Sequence, residues 1–446
     1  MKILYILPEY LPQSGGGIAT YYAALLPSLV QAGHEVRVLF GSAIMSAPGG
    51  RISKSDGVET EILDSNLFAK YMLQFTRYQI APKLQRHLAA AWALREQAEK
   101  GPTPDIVETT DWGLLFVPWM LRDGPPVVTT LHGSIGQIAH HDPLDGEQLA
   151  DSIIQLIEIL GLSSIEGVHT CSSNNVQFWE QKLGRKVDLV RPVFGSHGRP
   201  VAMAERTGRG LVVGRVQRWK GPHILCEAMQ MLGENTPDID WIGRDVPIHN
   251  QAGSTAHDLF QTWPDIWGRK IHHFPAESPE QIHFRQQAAG FVIVPSIWDV
   301  FNFTCIEAMT VGTPVVCSSA VGASDLIDNG ITGYISAPAR GRSLADNIES
   351  LLSLGPQQRA KMGAAGAETI RRALAADVVL PPRLDAYHAV SRQTRTPADE
   401  WLLHMCSPRE TAASLDSSLN QVSLRRLLDH SLRRIWRKLS SNRATD

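Results

Sequence analysis

Asp299 and Glu307 stand eight positions apart in the stretch Phe-Val-Ile-Val-Pro-Ser-Ile-Trp-Asp-Val-Phe-Asn-Phe-Thr-Cys-Ile-Glu-Ala-Met-Thr-Val-Gly-Thr-Pro-Val-Val, residues 291–316. Phe291 to Val294 is an apolar run of strand type, broken by Pro295 and Ser296. A helix is expected from about Phe303 to Thr310, ended by Gly312 and Pro314, and Val315-Val316 opens the next strand. The amides of Asn302, Phe303 and Thr304 would then lie at a helix N-terminus, where unsatisfied N–H groups suit a phosphate. Two carboxylates beside that cradle can hold hydroxyl groups. Together they would suit a nucleotide sugar, although an ordinary βαβ unit with one surface acid and one buried acid carries the same pattern.

A second cluster is Gly214-Arg215-Val216-Gln217-Arg218-Trp219-Lys220-Gly221. Its cations Arg218 and Lys220 lie between glycines just before a helix pattern, and would neutralise a diphosphate from the side opposite residues 302–304. A solvated basic loop is the plainer reading of this cluster taken alone. Further along, polar groups follow strand patterns at their carboxyl ends. Glu9 and Tyr10 follow Leu7, Asp111 and Trp112 follow a strand at Asp105–Glu108, and His132-Gly133-Ser134 follows Val127–Leu131. In open α/β sheets the ligand crevice lies outside such ends. Asp111 or Glu9 there can hold a hydroxyl, and Trp112 offers a ring face. Gly15, Gly16 and Gly17 form a loop between the first strand and first helix; lacking side chains, they permit close approach to a phosphate or simply make a turn.

These positions are set by two alternating strand–helix series. The first begins Ile3–Leu7, triglycine loop, helix from about 18 to 32, strand Val36–Phe40, which is a βαβ unit of a parallel sheet. A long helical tract is expected over 66–100. The second series runs from Leu211 to about 374, after a Gly-, Arg- and Pro-rich linker at 195–210. The expected domains are 1–195 and 209–374, with a segment at 375–392 and a basic helical extension at 393–446. With 446 residues, 43% of them hydrophobic, the chain can bury two or three cores. A net charge of −3 makes no case for nucleic acid. Five scattered cysteines without a C-x-x-C spacing point to a reducing compartment rather than disulfides or zinc. The N-terminal apolar run is too short for a signal peptide, and no run spans a membrane, so a cytoplasmic protein is expected.

Taken together, Gly214-Arg215 through Lys220-Gly221, Pro295-Ser296, Asp299, Glu307-Ala308-Met309 and Gly312-Thr313-Pro314-Val315-Val316 resemble the C-terminal signature of family 4 glycosyltransferases (glycosyl transferases group 1). Pro8, the triglycine loop and Val127–Gly133 resemble the N-terminal one, and the likeness covers roughly 1–390. The resemblance implies an α/β protein of GT-B fold, two Rossmann-like doubly wound domains facing a cleft, and a retaining hexosyltransferase, with 1–195 the acceptor side, 209–374 the nucleotide-sugar side and 375–392 a crossover; Glu9 or Asp111 would orient the acceptor hydroxyl and Trp112 would stack on a sugar. It implies that Asp299 contacts the donor sugar, Glu307 the ribose, and Arg215, Arg218 and Lys220 the diphosphate. Asn302, Phe303 and Thr304 would face the donor, His132 would lie near the transferred sugar, and the 15–17 loop would close over the phosphates. It implies a UDP- or GDP-linked substrate and no metal or other cofactor; Asp238-Ile239-Asp240 fits a D-x-D pattern only nominally. Front-face substitution, with the leaving phosphate taking the acceptor's proton, is the family's chemistry.

Four positions depart from the family pattern. Asp299 is one methylene shorter than the usual Glu, Asn302 replaces a small residue, Asp325 stands for a frequent Glu, and Val190–Gly195 replaces an Asn-Gly-Val-Asp segment. A nucleotide-sugar 2-epimerase and a non-catalytic glycan-assembly subunit share the fold as alternatives. In residues 421–446, Leu424, Leu427, Leu428, Leu432, Ile435 and Leu439 recur at helical spacing among seven Lys or Arg and two Asp. A basic amphipathic helix reads as an element for an anionic membrane surface, or as one docked on protein. The membrane reading fits a lipid-linked acceptor in cell-surface polysaccharide or glycolipid synthesis.

Overall fold

The computed structural model describes residues 1–12, 15–121, 124–141, 148–195, 206–247, 253–393 and 398–409, with 423, 425, 428–429 and 431–433. The N-terminal series is β1 (Lys2–Leu7), α1 (Gly17–Gln31), β2 (Glu35–Phe40), β3 (Ile52–Ser55), β4 (Val58–Ile62), α2 (Ser65–Gln74), α3 (Pro82–Glu99) and β5 (Ile106–Thr110). It continues with β6 (Val127–Leu131), α4 (Ile135–His141), α5 (Gln148–Ser164), β7 (Gly167–Thr170), α6 (Ser173–Leu183) and β8 (Asp188–Leu189). The second series is β9 (Gly210–Val213), α7 (Pro222–Leu232), β10 (Ile239–Ile242), α8 (Thr255–Thr262), β11 (Ile271–Phe274), α9 (Pro279–Ala288) and β12 (Phe291–Val294). Then come α10 (Phe303–Thr310), β13 (Val315–Ser318), β14 (Tyr334–Ser336), α11 (Gly341–Ser353), α12 (Pro356–Ala373), α13 (Ala376–Ser391) and α14 (Glu400–Cys406).

The first sheet has the order β3-β4-β2-β1-β5-β6-β7-β8, and the second β11-β10-β9-β12-β13-β14. Every pairing is parallel except β3 with β4. Parallel strands need both faces covered, which is why β1 and β12 are largely apolar runs and β1, β6 and β12 have almost no exposed residue. Strand order reverses between β1 and β5 in the first sheet and between β9 and β12 in the second. Loops leaving such a pair diverge and open a crevice. Glu9 and Asp111 flank the first reversal point; Lys220 and Asp299 flank the second.

Several elements differ from expectation. The tract over 66–100 is two helices, α2 and α3, separated by a 3-10 turn at Thr76–Tyr78. The β3–β4 hairpin, α8, β8, β14 and α14 carry too little periodicity to be read in advance. β5 continues two residues beyond Glu108, so that carboxylate lies inside the strand and not at its end. The crossover segment is one helix, α13, with Pro381 and Pro382 inside it. The linker's centre at 196–205 and most of 410–446, including most of the basic tail, lie outside the described residues. Among the described residues no helix is long and apolar enough to cross a membrane.

α13 fastens the segment after the second series to the first domain. Arg383 and Glu108 are both fully buried, with Arg383 Nη1 2.8 Å from Glu108 Oε2. Glu108 Oε1 also accepts from Tyr22 Oη at 2.8 Å and Thr130 Oγ1 at 2.7 Å. Tyr387 Oη donates to Oε2, and Tyr5 Oη meets Tyr387 Oη at 2.9 Å. α14 docks further out, where Trp92 Nε1 donates to Cys406 O at 2.7 Å and Arg77 Nη2 to Met405 O at 2.8 Å. Removing one partner of a buried ion pair leaves the other charge uncompensated, at a cost of about 3–5 kcal/mol. Arg383→Leu should therefore lower the urea midpoint by that equivalent; an unchanged midpoint would show that α13 is not held by this pair.

Candidate active site

The loop after β9 is fixed by one close approach. Gly221 has φ 74°, and a Cβ there would sit 2.0 Å from the carbonyl oxygen of Pro295. Only glycine satisfies both conditions. Ile297 N donates to Trp219 O at 3.0 Å, so the loops after β9 and β12 are bonded edge to edge. The single 3-10 turn Arg218–Lys220 then places Lys220 Nζ 2.6 Å from Asp299 Oδ2 and 4.1 Å from the Trp219 ring centroid. Arg215 lies 6.0 Å from that ring, and Arg215 and Arg218 are exposed.

The loop carrying Asp299 is held from behind. Asp299 N donates to Ala320 O at 3.2 Å and Gly322 N to Asp299 O at 3.0 Å. Asn302 has φ 72°, a left-handed conformation that non-glycine residues other than Asn and Asp rarely adopt. Its Oδ1 accepts from Cys305 N at 3.1 Å and its Nδ2 donates to Asp299 Oδ2 at 2.9 Å. The Asn that replaces a small residue thus has a backbone reason, and its side chain caps α10. Phe303 and Thr304 supply the first amides of that helix and are half-buried. Glu307, one turn on, accepts from Gln286 Nε2 at 3.1 Å.

On the N-terminal side, Glu9 Oε1 accepts from Ala19 N at 3.1 Å. A Cβ on Gly16 would lie 2.5 Å from that oxygen, so the Glu9 carboxylate itself occupies the start of α1. Gly15 and Gly17 are exposed. Asp111 is fully buried and ties its own loop: Oδ1 accepts from Trp112 N at 2.9 Å and from His132 N at 2.8 Å, while Oδ2 has no partner. Trp112 packs edge-on against His87, ring centres 5.6 Å apart. The His132 ring lies against Tyr21 and Tyr22, with Nε2 3.2 Å from Tyr22 Oη. Burial drives its pKa down to about 3, so it is neutral.

Sequence reading missed the groups that join the domains. Trp298 stacks on His141, ring centres 4.6 Å apart and planes within 7°, and lies 5.4 Å from Trp219. Gly133 has room for no more than a Cβ 3.3 Å from Trp298. Asp325 Oδ2 accepts from Ser173 N at 2.8 Å and pairs with Arg191 at 3.1 Å. Asn174 Nδ2 donates to Ser319 O at 2.7 Å. Trp219 and Trp298 adjoin the charged residues singled out by spacing, which was the available signal. In the sequence, Asp325 stands out only as a departure from the family pattern.

The facing crevices, the cation–carboxylate contact at the second and the neutral histidine at the edge of the first define a GT-B glycosyltransferase. The chain belongs to the group 1, family-4-type glycosyltransferases. The model for glycosyl transferases group 1 matches residues 204–369, and that for a glycosyl transferase 4-like domain matches 16–193. The D-inositol 3-phosphate glycosyltransferase of Arthrobacter sp. (strain FB24) is 25% identical over 82% of this chain and 88% of its own. Its counterpart in Mycobacterium sp. (strain KMS) is 26% identical over 76% of this chain and 79% of its own. Among solved structures, sucrose-phosphate synthase from Thermosynechococcus elongatus superposes with a TM-score of 0.65 at 19% identity, covering 87% of this chain and 98% of that one. Anabaena HepE in complex with UDP and glucose gives 0.60 at 16% identity, covering 87% and 100%.

Behind the His132 loop, fully buried Glu158 accepts from Ile135 N at 2.9 Å and Gly136 N at 3.1 Å. Burial raises Glu158 to about 8 and Asp111 to about 7. Acids whose folded pKa is raised bind extra protons in the native state. Their contribution is full below the unfolded carboxylate pKa and is lost as pH rises from about 4 to about 8. Asp111→Asn keeps the accepting oxygen but cannot ionise. Its melting temperature should therefore decline less than wild type across that interval, and an identical decline would place the Asp111 titration elsewhere.

Proposed function

We propose that the protein is a retaining hexosyltransferase that moves a sugar from a UDP- or GDP-linked donor to a hydroxyl of a glycan, lipid-linked or phosphorylated polyol acceptor in cell-surface polysaccharide or glycolipid synthesis. The observation that carries this reading is the Lys220–Asp299 contact beside the N-terminus of α10. In the reaction, charge develops on the β-phosphate as the glycosidic bond breaks. Lys220, Arg215, Arg218 and the first amides of α10 would stabilise it as preorganised donors. Asp299 would hold sugar hydroxyls through Oδ1, since Oδ2 already takes Lys220 and Asn302. Glu307 would hold the ribose, and His132 the far side of the sugar. With no carboxylate assigned as nucleophile, the acceptor hydroxyl attacks the face the phosphate leaves, and its proton goes to that phosphate. Interdomain contacts at Trp298 and Asp325 would limit water access.

The charges assigned to the diphosphate are all side-chain cations and amides, so the reaction is proposed to need no metal. The curated relatives' name, D-inositol 3-phosphate glycosyltransferase, favours a phosphorylated polyol acceptor. A thermal-shift panel of nucleotide sugars identifies the donor, because a ligand of the native state raises the melting temperature. With that donor, Lys220→Ala should lower kcat/KM by about 10²–10³, the usual loss for one stabilising donor. EDTA should leave the rate unchanged. Undiminished turnover by the Lys220 variant would remove the diphosphate assignment, and epimer formation without acceptor would replace the transferase reading of this donor.

The basic tail would hold a cytoplasmic enzyme against an anionic membrane surface near a lipid-linked acceptor. Its two described leucines, Leu428 and Leu432, are 62% and 63% exposed, not packed on the protein. The full chain should co-sediment with vesicles containing anionic lipid, and deletion of 421–446 should abolish this; equal recovery of both proteins would sink the anchor.

A further inference from the structure

The Tyr22 hydroxyl has one proton to give and two lone pairs. It lies 2.8 Å from Glu108 Oε1 and 3.2 Å from His132 Nε2. Glu108 has no proton to return. Burial alone would push that carboxyl up, but the Arg383 guanidinium beside it, with the Tyr387 and Thr130 hydroxyls and His169, holds it below its usual range. Tyr22 must therefore donate to Glu108, and its contact with His132 must be one it accepts. His132 Nε2 then carries the proton, and in a neutral ring Nδ1 is left as a bare acceptor. Nδ1 has no partner among the described residues, and it is absent from the buried atoms that lack one, so solvent reaches it. His132 directly follows β6 at the cleft edge, next to Gly133, which approaches Trp298 of the other domain.

We propose that Tyr22 is a positioning residue: backed by the Glu108–Arg383 pair, it fixes His132 as the Nε2–H tautomer and thereby presents Nδ1 to the cleft as an acceptor for a hydroxyl of the donor sugar. The tautomer follows from hydrogen-bond accounting in the buried network. The role toward the sugar rests on the donor-site reading above. The device links two distant parts of the chain: a helix that crosses back from the second domain sets the hydrogen-bonding polarity of a histidine in the first. It resembles the way a carboxylate fixes the tautomer of a catalytic-triad histidine, with a tyrosine interposed. Glutamine at 108 would reverse the order. Its amide can donate to Tyr22 Oη, which then donates to His132 Nε2 and sends the ring proton to Nδ1.

The test is long-range ¹H–¹⁵N NMR of the full chain, with His132 assigned by its loss in His132→Gln, read beside donor kinetics. Wild type is expected to show a protonated Nε2 and an unprotonated Nδ1. Tyr22→Phe should give mixed tautomers and lower kcat/KM about tenfold, the scale of one neutral hydrogen bond. In a monodeoxy-donor series, one position should lose rate with wild type but not with Tyr22→Phe. Glu108→Gln should move the proton to Nδ1; if that variant does not fold with Arg383 unpaired, Glu108→Gln with Arg383→Gln serves instead. Tyr21→Phe, which removes the neighbouring hydroxyl, should keep the wild-type pattern. A protonated Nδ1 in wild type, or a Tyr22→Phe spectrum identical to wild type, overturns the proposal. An expected spectrum with no turnover of any donor supports the tautomer and refutes the donor-site reading instead. Shifted tautomers with unchanged kinetics overturn the role toward the sugar.

Discussion

The Glu108 carboxylate is the constraint on which the rest of the architecture depends. It sits inside a central strand, fully buried, next to the point where strand order reverses. A charge in that position is tolerated only if paired and fully hydrogen-bonded. Its pairing draws residues from β6, α1 and α13 to one point, so the first helix, the cleft strand and the returning helix are set relative to one another by a single group. The apolar core does not do this alone, because burying Tyr21, Tyr22 and Tyr387 is compatible with many rotations about the helix axes, whereas a shared carboxylate is not.

The second carboxylate–cation contact is of another kind. Arg383 and Glu108 have no exposed side-chain area, while Lys220 and Asp299 keep 18% and 14% of theirs. Solvent screens the second pair and water can compete for it, so it can be exchanged for a ligand at modest cost. A pair that must be strong sits where nothing can reach it. The Lys220–Asp299 pair lies at the rim, beside a loop whose backbone is pinned by the close approach of Gly221 to Pro295. Rigidity comes from the backbone, and the side chains remain available.

The parallel sheets were legible because strands covered on both faces become uninterrupted apolar runs, as at Phe291–Val294 and Ile3–Leu7. The loops after them were legible because glycine, proline and charge cluster where a strand gives way to a helix. What stayed hidden was decided by tertiary context. α13 carries Pro381 and Pro382 yet remains helical, since packing on the first domain overrides the local penalty. Glu108 looked like a strand end because charge inside a strand is rare without a partner, and that partner lies 275 residues away. Asp111 shows the same limit: a polar residue after a strand looked available for an acceptor, whereas the structure spends one of its oxygens on the amides of its own loop and that of His132. Sequence marks where polar groups leave the sheet but not which of them the loops consume.

The departures from the family pattern divide along that line. Asn302 is explained by the backbone: its positive φ admits Asn where a small residue is usual, and both ends of its amide are used inside the loop. Asp325 is engaged between domains with Arg191 and Ser173. The Asn302 amide has no group left over in those contacts, and Asp325 is bound through Oδ2 to the first domain. Asp299 is different: Lys220 and Asn302 hold its Oδ2, and neither contact uses Oδ1. On the donor-site reading, donor preference is then a matter of how far that one remaining oxygen reaches.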